Sequence, residues 1–260
     1  MCKLKNPKVS ILISNYNKDL YLKKSLTSCV LQSYKNKEII IYDDCSTDNS
    51  VRIIKKFKKI KKIYKIKRSS KSNPVNQINA LRNCFKHSTG DIIFFLDSDD
   101  YFKKNKLSYI VRKFEKNYKL KFIQDTPIFS NKKKSYRYKK KLSFYSIWPR
   151  FYPTSTIACK RNFLENFLKT ANLNSFPNLE IDARLSIFAY LKDEFKVIAN
   201  KFTYYIDNEN SISSNYKSFS INWWKKRMEA YKFMNLLANK LNIPFRKGPG
   251  YFVTKIISLI

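Results

Sequence analysis

The chain has 260 residues and a formal net charge of +34, from 53 Lys and Arg against 19 Asp and Glu. Hydrophobic residues make up 43% of it and aromatic residues 16%, which suffices for a core and excludes a disordered chain. The charge indicates a polyanionic partner, such as nucleic acid, an anionic membrane face or a phosphorylated substrate, unless most of the lysines are simply solvated.

The cysteine and histidine content argues against several kinds of site. The five cysteines are odd in number, widely spaced and without a CxxC pair, which disfavours a disulfide framework or a zinc site and favours a reducing compartment. His87 is the only histidine, and it lies at a predicted helix end. No signal-like segment precedes the first predicted strand, and no apolar run approaches the ~20 residues of a membrane span. We therefore expect a cytoplasmic location.

Strands and helices alternate through the first half of the chain. Short β-branched and apolar runs predict strands at 8–14, 38–42, 63–66, 91–96 and 121–124. Between them, apolar residues at steps of three and four predict helices, one of them capped by Asp48 and another opened by Pro74. This alternation predicts βαβ units, a mainly parallel sheet flanked by helices and an α/β fold class.

The alternation stops near residue 126. Residues 130–141 are basic and weakly patterned, which indicates a loop. Helices are predicted at 161–169 and 182–191, and a strand at 201–205. From residue 221 an apolar stripe at helical spacing predicts a long helix.

Acidic residues are clustered although they are scarce. Asp43 and Asp44 end one predicted strand, and Asp97 and Asp99 end another. The carboxyl ends of strands form the ligand crevice of an open α/β sheet, and carboxylates crowded there repel one another unless a cation joins them. A hard divalent metal carrying a phosphorylated ligand meets that need. The alternative is a turn rich in Asp and Ser that caps the next helix.

Glycine-loop nucleotide sites are excluded. The chain has three glycines and contains neither a GxGxxG sequence nor a Walker A loop. A bound nucleotide would therefore need carboxylates, a metal and lysines to hold its phosphates.

Four segments stand in order along the first half of the chain. They are Val9–Asn17 (VSILISNYN), Ser28 with Gln32, Glu38–Asp48 (EIIIYDDCSTD) and Gly90–Asp100 (GDIIFFLDSDD). Together they resemble the nucleotide-binding half of the family 2 glycosyltransferases, which have the GT-A fold. The resemblance covers roughly residues 8 to 115.

The resemblance implies inverting transfer of a sugar from a nucleotide-sugar, with a UDP-sugar favoured, and assistance by Mn²⁺ or Mg²⁺. It implies a GT-A domain over 1–220, with a nucleotide-sugar-binding half at 8–125 and an acceptor half at 126–220, followed by a helical extension at 221–260. Carried over by position, Asp97 and Asp99 hold the metal. The nucleotide-sugar-binding residues are Ser14, Tyr16, Asp44, Arg82 and Asp97.

The same resemblance supplies a general base. In the family a carboxylate at a helix start takes a proton from the acceptor hydroxyl, and Asp182 matches that position in the segment Leu179–Leu185 (LEIDARL). Glu180 is displaced by one residue from the usual neighbour. The alternative for Asp182 is a helix N-cap or an ion pair with Arg184.

Three departures from the family pattern concern the donor. Asn208 stands where members often carry His, before Ser211–Ser213. The glycine-rich segment usual before Arg82 is missing, and Cys45 replaces a common Gly.

The expected acceptor is a surface polysaccharide or a lipid-linked glycan of the cell envelope. Peripheral membrane contact is also expected, because Trp223 and Trp224 precede three basic residues and the segment 251–260 is apolar. Two other functions stay open: a polyanion-binding protein, for which Lys132–Lys141 is the candidate segment, and a catalytically inactive relative. Since no nucleic-acid motif is present, no nucleic-acid partner is expected.

Overall fold

The computed structural model describes residues 6–68, 70–130, 152–171, 173, 175–207, 216–245 and 247–259. Its strands are β1 (Val9–Asn15), β2 (Lys37–Asp43), β3 (Lys61–Tyr64), β4 (Ile92–Asp97), β5 (Tyr101–Phe102), β6 (Phe122–Phe129), β7 (Ile157–Lys160) and β8 (Phe195–Tyr205). Its helices are α1 (Asp19–Val30), α2 (Ser50–Lys56), α3 (Asn73–Lys86), α4 (Lys106–Lys116), α5 (Arg161–Thr170), α6 (Ile181–Leu191), α7 (Ile221–Lys240) and α8 (Pro249–Ile257), with a 3-10 helix at Thr154–Thr156.

One mixed sheet has the strand order β3-β2-β1-β4-β7-β6-β8-β5. The first four strands in that order are parallel, as predicted. β7 runs antiparallel between β4 and β6, β8 is parallel to β6, and β5 is antiparallel to β8. The α/β class is therefore confirmed, while the parallel arrangement dominates in the N-terminal half.

Alternate side chains of the parallel strands pack on opposite faces of the sheet. Ile11 and Ile13 join a core with α1 and α4, whereas Leu12 faces a second core built by α3, α5, α6 and α7. The near-continuous apolar runs in β1, β2 and β4 follow from this, because each strand is covered on both faces.

Several predicted boundaries change. The predicted strand at 201–205 is the end of the longer β8, and α2 ends at Lys56, before the apolar residues Phe57 and Ile60. β5, β7 and α8 were not predicted. α7 contributes Phe233 and Leu237 to the core that contains α3 and α6, so the boundary predicted at 220/221 does not separate two hydrophobic cores.

Candidate active site

The ends of β1, β2 and β4 meet at one edge of the sheet. Asn15 pairs in register with Asp43, and Ser14 pairs with Asp97. A cleft opens at this edge, and the start of α6, the 3-10 helix and the end of β8 close its other sides. This is the edge at which open α/β sheets bind ligands.

Six of the seven predicted site residues line this cleft: Ser14, Tyr16, Asp44, Asp97, Asp99 and Asp182. Arg82 does not line it. Gln77, five residues earlier on α3, does. Five residues correspond to about 140° of rotation around a helix, which places Arg82 on another side of α3.

One end of the cleft is built around Asp44 and Arg68. Arg68 Nε donates to Asp44 Oδ2 at 2.9 Å, and its Nη2 donates to Asn73 Oδ1 at 3.0 Å. The guanidinium lies 3.9 Å from the centre of the Tyr16 ring. A carboxylate, a guanidinium plane and an aromatic face are thus gathered where a planar heterocycle could stack and donate an N–H group.

The loop that carries Asp44 is held by its neighbour Asp43. Asn15 Nδ2 donates to Asp43 Oδ1 at 2.7 Å, and Ser46 N donates to Oδ2 at 3.0 Å. Cys45, between them, has a φ of 67°, a conformation that favours glycine. This explains in physical terms why glycine would suit the position, and it shows that the loop adopts the turn with cysteine in place.

Asp97 is fixed from three directions. Gln77 Nε2 donates to its Oδ1 at 2.7 Å, Ser14 Oγ donates to the same atom at 3.3 Å, and its own backbone N–H donates to Ser155 Oγ at 3.0 Å. Burial, together with the charge of Asp99, raises the pKa of Asp97 to about 7. The site would therefore gain stability from a cation that neutralises this pair.

Asp99 forms an ion pair with Lys18, since Lys18 Nζ lies 2.8 Å from Asp99 Oδ2. Lys18 follows β1 and lines the cleft. Among the described residues, no three His, Cys, Asp or Glu side chains are grouped so that they could hold a metal by themselves. Two carboxylates with diphosphate oxygens are nevertheless a usual ligand set for Mg²⁺ or Mn²⁺, and Asp97 and Asp99 fit that role.

A buried polar network lies beneath the segment that carries Asp97 and Asp99. Lys106 Nζ contacts Asp125 Oδ1 at 2.7 Å, and it donates to Ser155 O at 2.7 Å and to Thr203 Oγ1 at 2.6 Å. Asp100 Oδ1 accepts from Ile206 N at 2.8 Å. The network ties α4, β6, β8 and the 3-10 helix together directly behind the cleft.

Asp182 lies in the first turn of α6 and lines the same cleft. Protein surrounds most of the side chain, and burial together with the charge of Glu180 raises its pKa to about 7. Lys226 of α7 opposes this rise, and it forms an ion pair with Glu180. The N-cap position belongs to Glu180, and Arg184 donates to the backbone carbonyls of residues 173, 175, 176 and 179. Neither structural alternative for Asp182 finds support in these contacts.

The sequence of this chain matches the model of a known family. The family model for glycosyl transferase family 2 matches residues 10–174. The chain belongs to this family. Over 102 residues it is 40% identical to an uncharacterized glycosyltransferase from Haemophilus influenzae, a stretch that covers 39% of this chain and 40% of that protein. Over 101 residues it is 38% identical to the Escherichia coli UDP-Glc:alpha-D-GlcNAc-diphosphoundecaprenol beta-1,3-glucosyltransferase WfaP, covering 38% of each chain. The chain thus spans less than half of these relatives' length.

Solved structures show the same fold over most of this family 2 chain. Staphylococcus aureus TarS 1-349 in complex with UDP-GlcNAc superposes with a TM-score of 0.66 at 18% identity, covering 96% of this chain and 70% of that one. The mannosyltransferase PcManGT from Pyrobaculum calidifontis, in complex with GDP-Man and Mn²⁺, superposes with a TM-score of 0.63 at 14% identity, covering 98% and 69%. The GT-A-like architecture is confirmed.

Three residues of this family 2 site were not predicted: Arg68, Gln77 and Lys18. Arg68 and Lys18 are two cations among 53, so composition gives no reason to single them out. Gln77 lies within the segment Asn73–Asn79, where the sequence draws attention only to the missing glycines. Asn208, Ser211–Ser213 and Lys132–Lys141 lie outside the described residues, so the predictions made for them stay untested.

A helix that crosses a membrane must be both long and apolar. Within the part of the chain that the structure describes, no helix combines the length and apolar character needed to cross one.

Proposed function

We propose that this chain transfers a sugar from a nucleotide-sugar to an acceptor hydroxyl with inversion at the anomeric carbon. The observation that carries the proposal is the convergence of Asp44, Asp97, Asp99 and Asp182 on one cleft. These carboxylates come from three distant parts of the sequence. Their positions support separate sites for the nucleobase, the diphosphate and the acceptor.

The end of the cleft near Asp44 supports a nucleoside that carries an N–H group. A carboxylate accepts from the imide N–H of uracil or thymine, or from the N1–H of guanine, whereas cytosine offers no ring N–H. The stacked pair of Arg68 and Tyr16 suits the base plane. A UDP-sugar is the proposed donor, and the UDP-GlcNAc complex of TarS and the UDP-Glc in the name of WfaP favour it.

Asp97 and Asp99 would hold Mn²⁺ or Mg²⁺. When bound, such an ion neutralises charge on the diphosphate leaving group. The complex of PcManGT with GDP-Man and Mn²⁺ favours this assignment. Lys18, already paired with Asp99, adds a fixed positive charge beside the same position.

Asp182 would act as the general base. Its carboxylate takes the proton of the acceptor hydroxyl while the acceptor oxygen forms a bond to the anomeric carbon. The bond from that carbon to the phosphate oxygen breaks, and the nucleoside diphosphate leaves with the electron pair. A pKa near 7 suits this task, because the group can take a proton near neutral pH. Attack from the side opposite the leaving group inverts the anomeric configuration.

The proposed acceptor is a glycan or a lipid-linked glycan of the cell envelope. The name of WfaP places its acceptor on diphosphoundecaprenol, and TarS is named as a poly(ribitol-phosphate) beta-N-acetylglucosaminyltransferase. These names give a lipid-linked saccharide and a polymer as acceptors, and they favour an acceptor of this kind here.

A thermal-shift panel of UDP-, GDP-, CMP- and dTDP-sugars with and without Mn²⁺ tests the donor site. We expect a metal-dependent stabilisation by the UDP-sugar, lost in Asp99→Ala. Absence of any shift in the wild type would overturn the donor assignment. The configuration of the product, read by NMR from a reaction with the donor that binds, tests inversion separately.

A further inference from the structure

The C-terminal helices leave an apolar surface uncovered. On and after α8, Phe252, Ile256 and Leu259 are 55%, 67% and 80% exposed. Residues 252, 256 and 259 recur at steps of four and three, and therefore lie on one side of the helix axis. Val253 on α8 is also exposed, as are two more large apolar side chains at the start of α7. We call these six residues the C-terminal apolar surface: Phe219, Ile221, Phe252, Val253, Ile256 and Leu259.

The opposite side of α8 is packed against α7. Thr254 is buried, and its Oγ1 accepts from Arg227 Nε at 3.0 Å. The Tyr251 and Tyr231 rings meet edge to face at 5.4 Å between centroids. These contacts fix the orientation of α8, so the exposure of its apolar side is a property of the packed helix.

Arg227 links the start of α7 to α8. Its guanidinium lies 5.4 Å from the Trp223 ring centre, while its Nε holds Thr254. Trp223 in turn packs against Phe219 and Trp224, with ring centroids 5.3 and 4.7 Å away. Arg227 therefore ties the aromatic cluster at the start of α7 to the side of α8 that packs on α7.

The charge carried by the C-terminal segment is almost entirely positive. Lys217, Lys225, Lys247 and Lys255 are exposed, and Glu229 is the only acidic residue after position 209. Glu229 accepts two hydrogen bonds from Asn178, at 2.8 and 2.6 Å, and does not offset the basic rim. Helices that lie in the membrane–water interface typically expose an apolar side and carry aromatic and basic residues beside it.

We propose that the C-terminal apolar surface docks on an anionic lipid bilayer. The exposed side chains would enter the headgroup and acyl boundary, and the basic rim would contact lipid phosphates. A second copy of the chain is the poorer occupant, because two chains that each carry +34 repel one another. The inference rests on this surface and holds independently of the proposed reaction.

Docking would also place the cleft near the membrane. Lys226, on the same helical turn as Trp223 and Arg227, pairs with Glu180 at the cleft. One turn of α7 thus links the proposed docking surface to the side of the cleft that holds Asp182.

Vesicle co-sedimentation of the full chain tests the inference without any donor or acceptor. The probes are vesicles of equal parts phosphatidylglycerol and phosphatidylcholine, and vesicles of phosphatidylcholine alone. The test variant is Phe252→Ser with Ile256→Ser. The matched control is Leu20→Ser with Ile66→Ser, which removes two apolar side chains that are 86% and 95% exposed elsewhere.

We expect stronger binding to the anionic vesicles, and we expect the test variant to lose at least ~10-fold in partition coefficient while the control stays within about two-fold of wild type. Equal binding by all three proteins would mean that net charge alone binds lipid, and would overturn the role assigned to this surface. Failure of the wild type to bind anionic vesicles would also overturn it. A dimer that forms without lipid, measured by light scattering, and that is absent in the test variant would overturn it as well.

Discussion

Lys226 on α7 forms an ion pair with Glu180, two residues before Asp182. The ammonium group also lies 4.4 Å from the Tyr216 ring centre. A lysine from the C-terminal helix thereby sets the charge beside the proposed base: Glu180 raises the pKa of Asp182, and Lys226 lowers it. Through this ion pair, α7 contacts a residue that lines the cleft.

Lys226→Met should raise the pKa of Asp182 further, because the opposing cation is lost while Glu180 remains. Since the base acts when deprotonated, the acidic limb of the kcat/KM profile should move to higher pH by about 1 pH unit. Lys225→Met is the matched control, since Lys225 is exposed on the neighbouring position. A profile that coincides with wild type in Lys226→Met would show that the ion pair does not tune the base.

Asp182→Asn should slow transfer strongly and spare donor binding. The amide cannot take the acceptor proton, so we expect kcat to fall by about 10²–10⁴-fold. The affinity for the nucleotide-sugar, measured by calorimetry, should stay within about two-fold of wild type, because the proposed nucleoside contacts come from Asp44, Arg68 and Tyr16. Glu165→Gln, on the surface of α5, controls for loss of one carboxylate. Transfer at the wild-type rate in Asp182→Asn would remove the base assignment.

In the wild-type enzyme, a base with a pKa of about 7 predicts a definite pH dependence. Above this pH the carboxylate is free to accept a proton, and below it the group is already protonated. We therefore expect kcat/KM to fall as the pH drops below about 7, tenfold for each pH unit in the lower range, and this limb should be absent in Asp182→Asn.

Asp44, Asp97 and Asp99 could be predicted to lie together because they stand at the ends of apolar runs, whereas Asp182 was predicted only from the family resemblance. Asp44 follows β2 and Asp97 ends β4, two strands whose buried residues are nearly continuous in the sequence, and a parallel sheet brings such strand ends together. The cations that complete the site could not be predicted in this way. Lys226 meets Glu180 across 46 residues, and only the packing of α7 on α6 brings them into contact.

The elements that escaped prediction are short or join distant segments. β7 has four residues, too few to show a period, and it becomes a strand because β4 and β6 pair with both of its edges. The sequence indicated only that the segment 251–260 is apolar, and did not predict the helix α8. Whether an apolar helix is buried or exposed depends on its neighbours, and the contact between Arg227 and Thr254 settles which side of α8 is covered.

Lys18→Met should strengthen binding of Mn²⁺ in the absence of nucleotide. Lys18 occupies Asp99 Oδ2 at 2.8 Å, so a metal ion must compete with an ammonium group for that oxygen. Without the ammonium group, the metal ion no longer competes with that cation for Asp99 Oδ2. We expect the Kd for Mn²⁺, measured by electron paramagnetic resonance at pH 8, to fall by about 3- to 10-fold.

Lys23→Met, an exposed position on α1, should leave the Kd for Mn²⁺ at its wild-type value. Asp99→Ala should weaken binding in either background, because the oxygen under competition is then absent. Weaker Mn²⁺ binding in Lys18→Met would indicate that the lysine holds Asp99 in place for the metal, and would contradict competition.

The buried pair of Lys106 and Asp125 makes a prediction about stability. Both side chains are fully buried, and the ammonium group contacts Asp125, Ser155 and Thr203. Lys106→Met leaves the Asp125 carboxylate with bonds from Thr203 Oγ1 and Phe202 N and without a counter-ion. We expect the free energy of unfolding to drop by about 3–5 kcal/mol, measured by urea denaturation.

The size of this loss should depend on pH. Burial raises the pKa of Asp125, and without Lys106 that pKa rises further. A carboxyl group whose pKa is higher in the folded state than in the unfolded state destabilises the fold as the pH rises through that range, so the loss should be smaller at pH 5 than at pH 8. Adding Asp125→Asn to Lys106→Met should recover part of the stability and remove the pH dependence.

Lys104→Met, at an exposed position two residues away, should change the free energy of unfolding by less than about 0.5 kcal/mol. An equal loss at both pH values would mean that lost packing of the lysine stem, and not the unpaired carboxylate, causes the destabilisation.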